Sequence, residues 1–211
     1  MIRTFSTQNF HTICDQLAAQ DKDLFSIIKE HGYPPMWTRP NSFEALVHII
    51  LEQQVSLASA LAALKKLQEK LEVITPEKIL TLTDEELKAC YVSRQKTIYI
   101  RGLAQAIEDK QIILQAFEQM PNEEIRSKLT ALKGIGNWTT DIYLMFVLQR
   151  ADIFPIGDLA AVNALKRAKE LPKETSREIL IAISDQWQPY RTIATMILWH
   201  HYLSSPFRSK V

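Results

Sequence analysis

Two glycines separated by one residue mark the stretch with the strongest chemical signal in the sequence. Gly134 and Gly136 lie in LKGIGNWTTDIY, residues 132–143, and the chain has only five glycines. A tight turn between helices requires left-handed backbone conformations, which cost about 1–2 kcal/mol at residues with a Cβ. The N–H groups of Gly136, Asn137 and Trp138 would open the next helix without intrahelical acceptors and would favour an anion. The pattern predicts a phosphate-binding hairpin, with a plain glycine-capped helix–helix turn as the alternative.

The glycine pair does not fit other phosphate-binding motifs. It lies between expected helices rather than after a strand, it lacks a third glycine, and no Gly-Lys-Ser/Thr follows, which argues against a dinucleotide fold or a P-loop. The net charge of the chain is only +1, but residues 126–169 contain seven basic and three acidic residues, an excess of four. That excess favours a nucleic-acid phosphate, although a solvated helical surface would also explain most of these charges.

A carboxylate follows the hairpin. Asp158 stands 22 residues after Gly136 (158 − 136), at the end of the sequence DIFPIGD. The helix expected over residues 138–149 is about 18 Å long, and a short loop then turns the chain back. We therefore expect Asp158 near the base of the cleft that the hairpin borders. Asp158 is also a good N-cap for the next helix, and a capping role alone is the alternative.

The hydrophobic pattern is helical nearly throughout the chain. Residues 8–31 carry apolar side chains at three- to four-residue spacing, and the segment from Phe43 to Leu51 predicts a helix buried on most sides. Residues 153–156 are β-prone but contain a proline, so they predict a loop. Further helix starts are predicted at the capping residues and prolines Ser56, Thr75, Thr83, Ser93, Pro121, Asp158, Pro172 and Pro189. The fold class expected is all-α.

The composition is that of a globular protein. Hydrophobic residues make up 46% and charged residues 23% of 211 residues, which fits one large domain or two small lobes. No apolar run approaches the roughly 20 residues of a membrane span, and the N-terminus lacks the apolar region of a signal peptide. We expect a cytoplasmic protein, nucleoid-associated if bacterial. Two distant cysteines and five histidines without zinc spacing predict no disulfide framework, zinc site or four-cysteine iron–sulfur cluster.

Four segments together resemble the helix-hairpin-helix DNA glycosylase superfamily. Residues 132–165 resemble its hairpin, Gly/Pro loop and Asp, and residues 39–60 are similar to its helix that ends in Gln-Gln-x-Ser. Residues 92–104 (VSRQKTIYIRGLA) resemble a further block, and residues 186–203 (QWQPYRTIATMILWHHYL) resemble the C-terminal segment of the 3-methyladenine glycosylase II branch. The combination is more specific than any single segment.

The resemblance implies a single glycosylase domain over residues 1–211, with two helical lobes flanking a cleft. The helix-hairpin-helix motif is expected at about residues 123–149. One lobe is expected over about residues 33–110, and the other over residues 1–32 together with 111–211.

The resemblance also assigns roles to individual residues. Asp158 matches the catalytic acid, which stabilises positive charge on the deoxyribose as the N-glycosidic bond breaks. Gly134 and Gly136, with Asn137, match the hairpin residues that seat a DNA phosphate. The hairpin carbonyls can hold a monovalent cation, and no other cofactor is expected.

A second group of residues matches the part of the family that handles the duplex. Gln53, Gln54 and Ser56 are expected to contact DNA, and Gln54 falls at the position of the residue that fills the space left by the flipped base. A surface glutamine at a helix end is the alternative for Gln54.

The expected base pocket contains two tryptophans, Trp138 and Trp199. Alkylated purines are cationic and stack on indoles with about 0.5–2 kcal/mol of cation–π energy, although core tryptophans would have the same spacing. Bifunctional relatives carry a nucleophilic lysine at the position of Trp138, so the chain is expected to be monofunctional. Ile142 stands where a relative has a pocket tyrosine, and Tyr143 is beside it.

The function expected is removal of alkylated bases, of the 3-methyladenine and 7-methylguanine class, from double-stranded DNA by a monomeric enzyme. The alternatives are a glycosylase for another lesion and a non-catalytic helix-hairpin-helix DNA-binding module. The module would need neither the Asp158 loop nor the tryptophans.

Overall fold

The computed structural model describes residues 2–204, and this part of the chain is almost entirely helical. It contains no β-strand, only an isolated antiparallel bridge between Thr4 and Arg150. The expected all-α fold is confirmed. None of the helices in this part of the chain has the length and apolar character needed to cross a bilayer.

The chain divides into two compact units. Arg39–Tyr143 form one, the inserted unit, and Met1–Thr38 together with Leu144–Val211 form the other, the terminal unit. In the inserted unit the helices are α3 Phe43–Glu52, α4 Leu57–Leu71, α5 Pro76–Thr81, α6 Asp84–Ala89, α7 Arg94–Glu108, a 3-10 helix Leu114–Gln119, and α8 Asn122–Thr130. Helix α9, Asn137–Phe146, starts in the inserted unit and ends in the terminal unit. In the terminal unit they are α1 Phe10–Gln20, α2 Lys22–His31, α10 Leu159–Ala168, α11 Arg177–Asp185 and α12 Arg191–Ser204.

Residues 111–143, with α8 and most of α9, belong to the inserted unit, whereas the sequence placed them with the chain termini. Asn41 is one residue that ties this stretch to the inserted unit. Its Nδ2 donates to the carbonyl of Leu114 at 2.9 Å, and its Oδ1 accepts from the Tyr143 hydroxyl at 2.7 Å. Contacts between distant residues of this kind leave no periodic signal in the sequence.

Helix α3 forms the centre of the inserted unit, as its sequence predicts. Ser42 caps it by accepting a hydrogen bond from the N–H of Ala45, and seven of its ten residues are buried. The helix packs against α4 and α7. The loop after α3 therefore starts from an immobilised helix end, and that loop carries Gln53 and Gln54.

Helix α12 forms the centre of the terminal unit. Eight consecutive residues, Thr192–Trp199, are buried, so this helix is surrounded on all sides rather than amphipathic. It packs against α1, α2 and α10. The position of Trp199 is consequently fixed by the core of the unit.

The segment at residues 8–31 forms two helices because Asp21 interrupts it. Asp21 has an extended backbone, and its carboxylate caps α2 by accepting from the N–H groups of Asp23 and Leu24. The same carboxylate accepts from Lys169 Nζ at 2.7 Å and Trp187 Nε1 at 2.8 Å. Burial opposes the charge of Asp21, but the Lys169 and Trp187 hydrogen bonds outweigh it and hold its pKa below the ordinary value.

Helix α9 ends earlier than expected. It stops at Phe146 rather than at Gln149, and Gln149 adopts a positive φ of 53°. The N–H of Arg150 then returns to the carbonyl of Leu144 at 2.8 Å. The chain reverses immediately after the helix, so the loop to Asp158 begins three residues sooner than the hydrophobic pattern indicates.

The Asp21→Asn variant is expected to lose about 2–4 kcal/mol of unfolding free energy at neutral pH, because Lys169 loses its main carboxylate partner. The native pKa of Asp21 is lowered, so its contribution is complete above the unfolded pKa of about 4 and is lost as the pH falls through the native value. Urea denaturation of the wild type and the Asp21→Asn variant, repeated across this pH range, measures the difference in their unfolding free energies. The Asp15→Asn variant, which changes an exposed carboxylate, is the control. A stability difference between the wild type and Asp21→Asn that is absent at pH 7, or that does not shrink in acid, would contradict the stabilising role of the Asp21 carboxylate.

Candidate functional site

The hairpin turn occupies residues 131–136, between α8 and α9. Gly134 has φ +84°, which confirms the expected left-handed conformation at this position. Gly136 differs from the expectation, since it is not among the residues of positive φ and a Cβ at this position would meet nothing within 4 Å. The positive φ and the lack of space for a Cβ therefore require glycine at position 134. At Gly136 neither constraint applies, and the space next to the start of α9 is open.

An aromatic ring from α7 closes the turn over Gly134. A Cβ at position 134 would lie 2.1–2.3 Å from the ring atoms of Tyr99. The hydroxyl of Tyr99 accepts from Gln95 Nε2, one helical turn earlier. Tyr99 thus packs directly on the turn backbone, which fixes the hairpin on the inserted unit.

Side-chain hydrogen bonds brace the same turn. Gln53 Nε2 donates to the carbonyl of Gly134 and to Thr139 Oγ1, both at 2.9 Å. Arg126 joins α8 to α9, donating to the buried Asp141 carboxylate at 2.6 Å and to Asn137 Oδ1 at 3.1 Å. Gln53 was expected to contact DNA, but in the structure its amide nitrogen is committed to holding the hairpin.

The N-terminus of α9 presents backbone donors. The carbonyl of Gly136 accepts the first helical hydrogen bond, from the N–H of Thr140 at 3.1 Å. Within residues 2–204 the N–H groups of Gly136 and Asn137 make no hydrogen bond, and both residues are exposed. Such donors at the positive end of a helix dipole suit a phosphate group.

A cavity of about 570 Å³ lies beside the turn and is lined by residues of the inserted unit, among them Gln54, Lys96, Tyr99, Lys133 and Gly136. Lys96 Nζ donates to the carbonyl of Leu51 at 2.7 Å, at the C-terminal end of α3. Burial lowers the pKa of Lys96. The lining thus combines two cationic side chains with the exposed backbone of the hairpin.

The loop between α3 and α4 carries the two other residues expected to meet DNA. Gln54 is exposed and has a positive φ of 54°, while Val55 beside it is 45% exposed. Ser56 caps α4 by accepting from the N–H of Ser59. Gln54 is thus an exposed residue with an unfavourable backbone conformation next to the end of α3, and Ser56 fixes the start of the next helix.

Asp158 lies in the terminal unit at the N-terminus of α10, where it was expected as a cap. Its Oδ1 accepts from the N–H of Ala161 at 2.7 Å and from Trp199 Nε1 at 3.2 Å. Its own N–H donates to the carbonyl of Pro155 at 2.8 Å, which closes the preceding turn. The carboxylate is partly exposed, so it is fixed in orientation while remaining accessible.

The indole of Trp199 is held by other aromatic rings of the terminal unit. The ring centroid of Phe146 is 5.5 Å away and that of Trp37 is 6.5 Å away. Trp199 is only 8% exposed. This packing fixes the direction of the Nε1–H that reaches Asp158.

The loop before Asp158 is anchored to the start of α12. Thr192 Oγ1 donates to the carbonyl of Arg150 at 2.6 Å and accepts from the N–H of Ile153 at 3.1 Å. Arg191 holds the Asp152 carboxylate at 2.7 Å. Both ends of the Asp158 loop are thus attached to one helix, the helix that also provides Trp199.

Three further predicted pocket residues lie on α9. Trp138 is partly exposed in the first turn of the helix. Ile142 is 3% exposed and Tyr143 is fully buried, with its hydroxyl donating to Asn41. Tyr143 therefore has a structural role in the inserted unit, and the roles of Trp138 and Ile142 at a base stay predictions.

Comparison with known proteins identifies the family. Residues 47–189 match the model of the HhH-GPD superfamily of base excision DNA repair proteins. The chain belongs to this superfamily. The matched range contains the hairpin glycines and Asp158, and it ends ten residues before Trp199 (199 − 189).

Relatives in this superfamily resemble most of the chain. DNA-3-methyladenine glycosylase 1 of Schizosaccharomyces pombe is 31% identical over 190 residues, covering 87% of this chain and 83% of that protein. A Bacillus subtilis relative is 29% identical over 184 residues, but the chain spans only 64% of its length.

Solved structures show the same fold. The S. pombe 3-methyladenine DNA glycosylase in complex with abasic DNA has a TM-score of 0.82 and 28% identity, covering 89% of this chain and 95% of that one. A DNA-3-methyladenine glycosidase from Bacillus halodurans has a TM-score of 0.76 and 31% identity, covering 96% of this chain and 94% of that one.

Several residues that shape the site have no sequence signal of their own. Tyr99, Arg126 and Asp141 hold the hairpin, and Trp37 packs on Trp199. Each of these side chains contacts a residue that is distant in the chain or lies on another helix, and hydrophobic periodicity carries no information about such contacts. Only the buried charge of Asp141, at a position in an apolar helix, departs from the expected pattern.

The Gly134→Ala variant is expected to lose at least about 2 kcal/mol of unfolding free energy, because alanine meets both the unfavourable φ and the Tyr99 ring. Gly136→Ala is the matched control two residues away. Its Cβ enters open space, so its stability should stay within about 0.5 kcal/mol of the wild type. Chemical denaturation measures both, and equal losses in the two variants would contradict the steric account.

Proposed function

We propose that the chain is a monofunctional DNA glycosylase that hydrolyses the N-glycosidic bond of alkylated bases, of the 3-methyladenine and 7-methylguanine class, in base excision repair. The observation that carries the proposal is the fixed carboxylate of Asp158, which accepts from Ala161 N–H and Trp199 Nε1. Membership of the superfamily and the names of the relatives support it.

The proposed chemistry follows from that carboxylate. Cleavage of the glycosidic bond builds positive charge on the deoxyribose, and a preorganised negative group stabilises this oxocarbenium-like state. The cap and the indole hold Asp158 before the substrate arrives, so little reorganisation is needed during the reaction. Asp158 also orients the attacking water, whose oxygen bonds to the sugar carbon as the C–N bond breaks. The cationic base leaves as a neutral molecule with the electron pair of that bond, and the water gives up a proton to the Asp158 carboxylate, which passes it to solvent.

Base recognition is proposed for the indole beside the carboxylate. Alkylation at N3 or N7 makes a purine cationic and weakens its glycosidic bond, so such a base needs less protonation to leave. Trp199 provides an aromatic ring adjacent to Asp158, and cation–π attraction favours a charged base over a neutral one. Trp138 and Ile142 are assigned to the base on the resemblance alone.

DNA binding is proposed for the inserted unit. Gly136 and Asn137 provide backbone N–H groups for a phosphate, with Lys96 and Lys133 lining the adjacent cavity. Exposed Gln54, which has a positive φ, fills the space left by the extruded nucleotide. Ser56 contacts DNA from the first turn of α4. The enzyme acts as a monomer.

The hairpin also fits a monovalent cation. Within the described residues no hydrogen bond engages the carbonyls of Thr130 and Ile135, whereas the carbonyl of Gly134 is occupied by Gln53. Carbonyl oxygens are suitable ligands for hard cations. Such an ion would add positive charge near the phosphate.

The reaction should leave an abasic site without cutting the strand, because an indole occupies the position of the nucleophilic lysine in bifunctional relatives. Duplex DNA treated with a methylating agent should release free 3-methyladenine or 7-methylguanine, measured by mass spectrometry. Borohydride should trap no covalent adduct. Untreated DNA and duplexes containing uracil or 8-oxoguanine are the controls.

Each other outcome identifies a different error. A trapped adduct would mean a lysine nucleophile and a bifunctional enzyme. Release of uracil or 8-oxoguanine alone would reject the alkylated substrate class. Binding without release of any base would reject catalysis and leave a DNA-binding module.

A further inference from the structure

Two histidines and a glutamate join α2 to α12 in the terminal unit. His31 Nε2 lies 3.0 Å from His201 Nδ1 and 3.6 Å from Glu30 Oε1. All three ligand-capable atoms lie within 4.8 Å of one another. None of these residues has a place in the proposed reaction.

We propose that Glu30, His31 and His201 form a binding site for a divalent transition-metal ion with the ligand preference of Zn²⁺. Imidazole nitrogen and carboxylate oxygen are ordinary zinc ligands, with bonds of about 2.0–2.2 Å. Tetrahedral geometry at such bond lengths places ligand atoms about 3.3–3.6 Å apart. The 3.6 Å separation of His31 and Glu30 already matches this spacing. The 3.0 Å contact of the two imidazoles is a hydrogen bond, and the ion would replace it, taking a nitrogen lone pair from each ring as small rotations move the rings apart.

The two histidines are held in place before any ion binds. The His31 side chain is 15% exposed, and its backbone carbonyl contacts His200 Nε2 at 3.0 Å. His201 is partly buried in the last turn of α12, a helix whose preceding residues form the core. Glu30, which is 69% exposed, has the most freedom to adjust. A site with two fixed ligands loses little side-chain entropy on binding.

The local field also favours a cation. His31 is the last residue of α2, so the site lies at the negative end of that helix dipole. The guanidinium of Arg167, stacked 5.3 Å above the ring of Tyr202, opposes this, and the carboxylate of Glu30 offsets it with a negative charge. Three protein ligands leave a fourth position for water, as in open zinc sites.

A bound ion would link α2 to the end of α12. His201 is two residues beyond Trp199, the residue that holds Asp158. Because the ligands come from residues 30, 31 and 201, the site exists only in the folded unit, and binding must stabilise the fold. We expect a melting temperature that rises with zinc concentration.

The test is calorimetric titration of the chelator-treated protein with ZnCl₂, without DNA, together with thermal unfolding. The wild type should bind one ion per chain and melt higher with zinc. His201→Gln and Glu30→Gln should each weaken binding at least about tenfold. His11→Gln, which changes an exposed histidine of the same unit outside the cluster, is the matched control and should bind like the wild type.

Equal zinc affinity in the wild type and His201→Gln, or a wild type that binds no zinc, would overturn the proposal. If His201→Gln fails to fold, the exposed Glu30→Gln variant and Co²⁺ titration of the wild type decide the question. Co²⁺ on histidine ligands should develop visible absorption bands that zinc removes by displacement. Absence of those bands would also overturn it. Neither measurement depends on glycosylase activity.

Discussion

The two hydrogen bonds that hold the carboxylate of Asp158 are the interaction on which the proposed reaction depends. A carboxylate that must act on a developing cation has to be both accessible and fixed, and the start of α10 provides the helix dipole and one donor. Trp199 provides the second donor. Its position in turn requires the buried helix α12 and the rings of Phe146 and Trp37. Core packing around Trp199 thus helps to orient one carboxyl group.

In the inserted unit, the main feature is a rigid turn with exposed backbone N–H groups. Gly134 makes the turn conformationally accessible, and Tyr99 then packs where any side chain would stand. Gln53 and the Arg126–Asp141 pair remove the remaining freedom from both sides. The polar side chains of these residues bind the hairpin and are therefore not available to a ligand. What they provide is a helix start whose backbone donors are held in fixed positions, as the proposed phosphate contact requires.

Local signals in the sequence predicted the local features of this structure. The hairpin turn, the cap at Asp158 and the buried helix α3 each have a signal in residues that are neighbours in the chain, and all three are confirmed. The interruption at Asp21 was not predicted, because its energy comes from Lys169 and Trp187 at the far end of the chain. The bonds of Gln53 to Gly134 and Thr139 were not predicted for the same reason, since these partners lie more than 80 positions further along the sequence. Resemblance to a family supplied the roles that spacing alone left open.

The most direct test of this account is the single-turnover rate of base release from methylated duplex DNA by the Asp158→Asn variant. Asparagine is also a good N-cap, so the fold and DNA affinity should be retained while the negative charge is removed. The account predicts a rate at least about 100-fold below that of the wild type, with a similar dissociation constant for duplex DNA. A variant that released the base within a few-fold of the wild-type rate would contradict it.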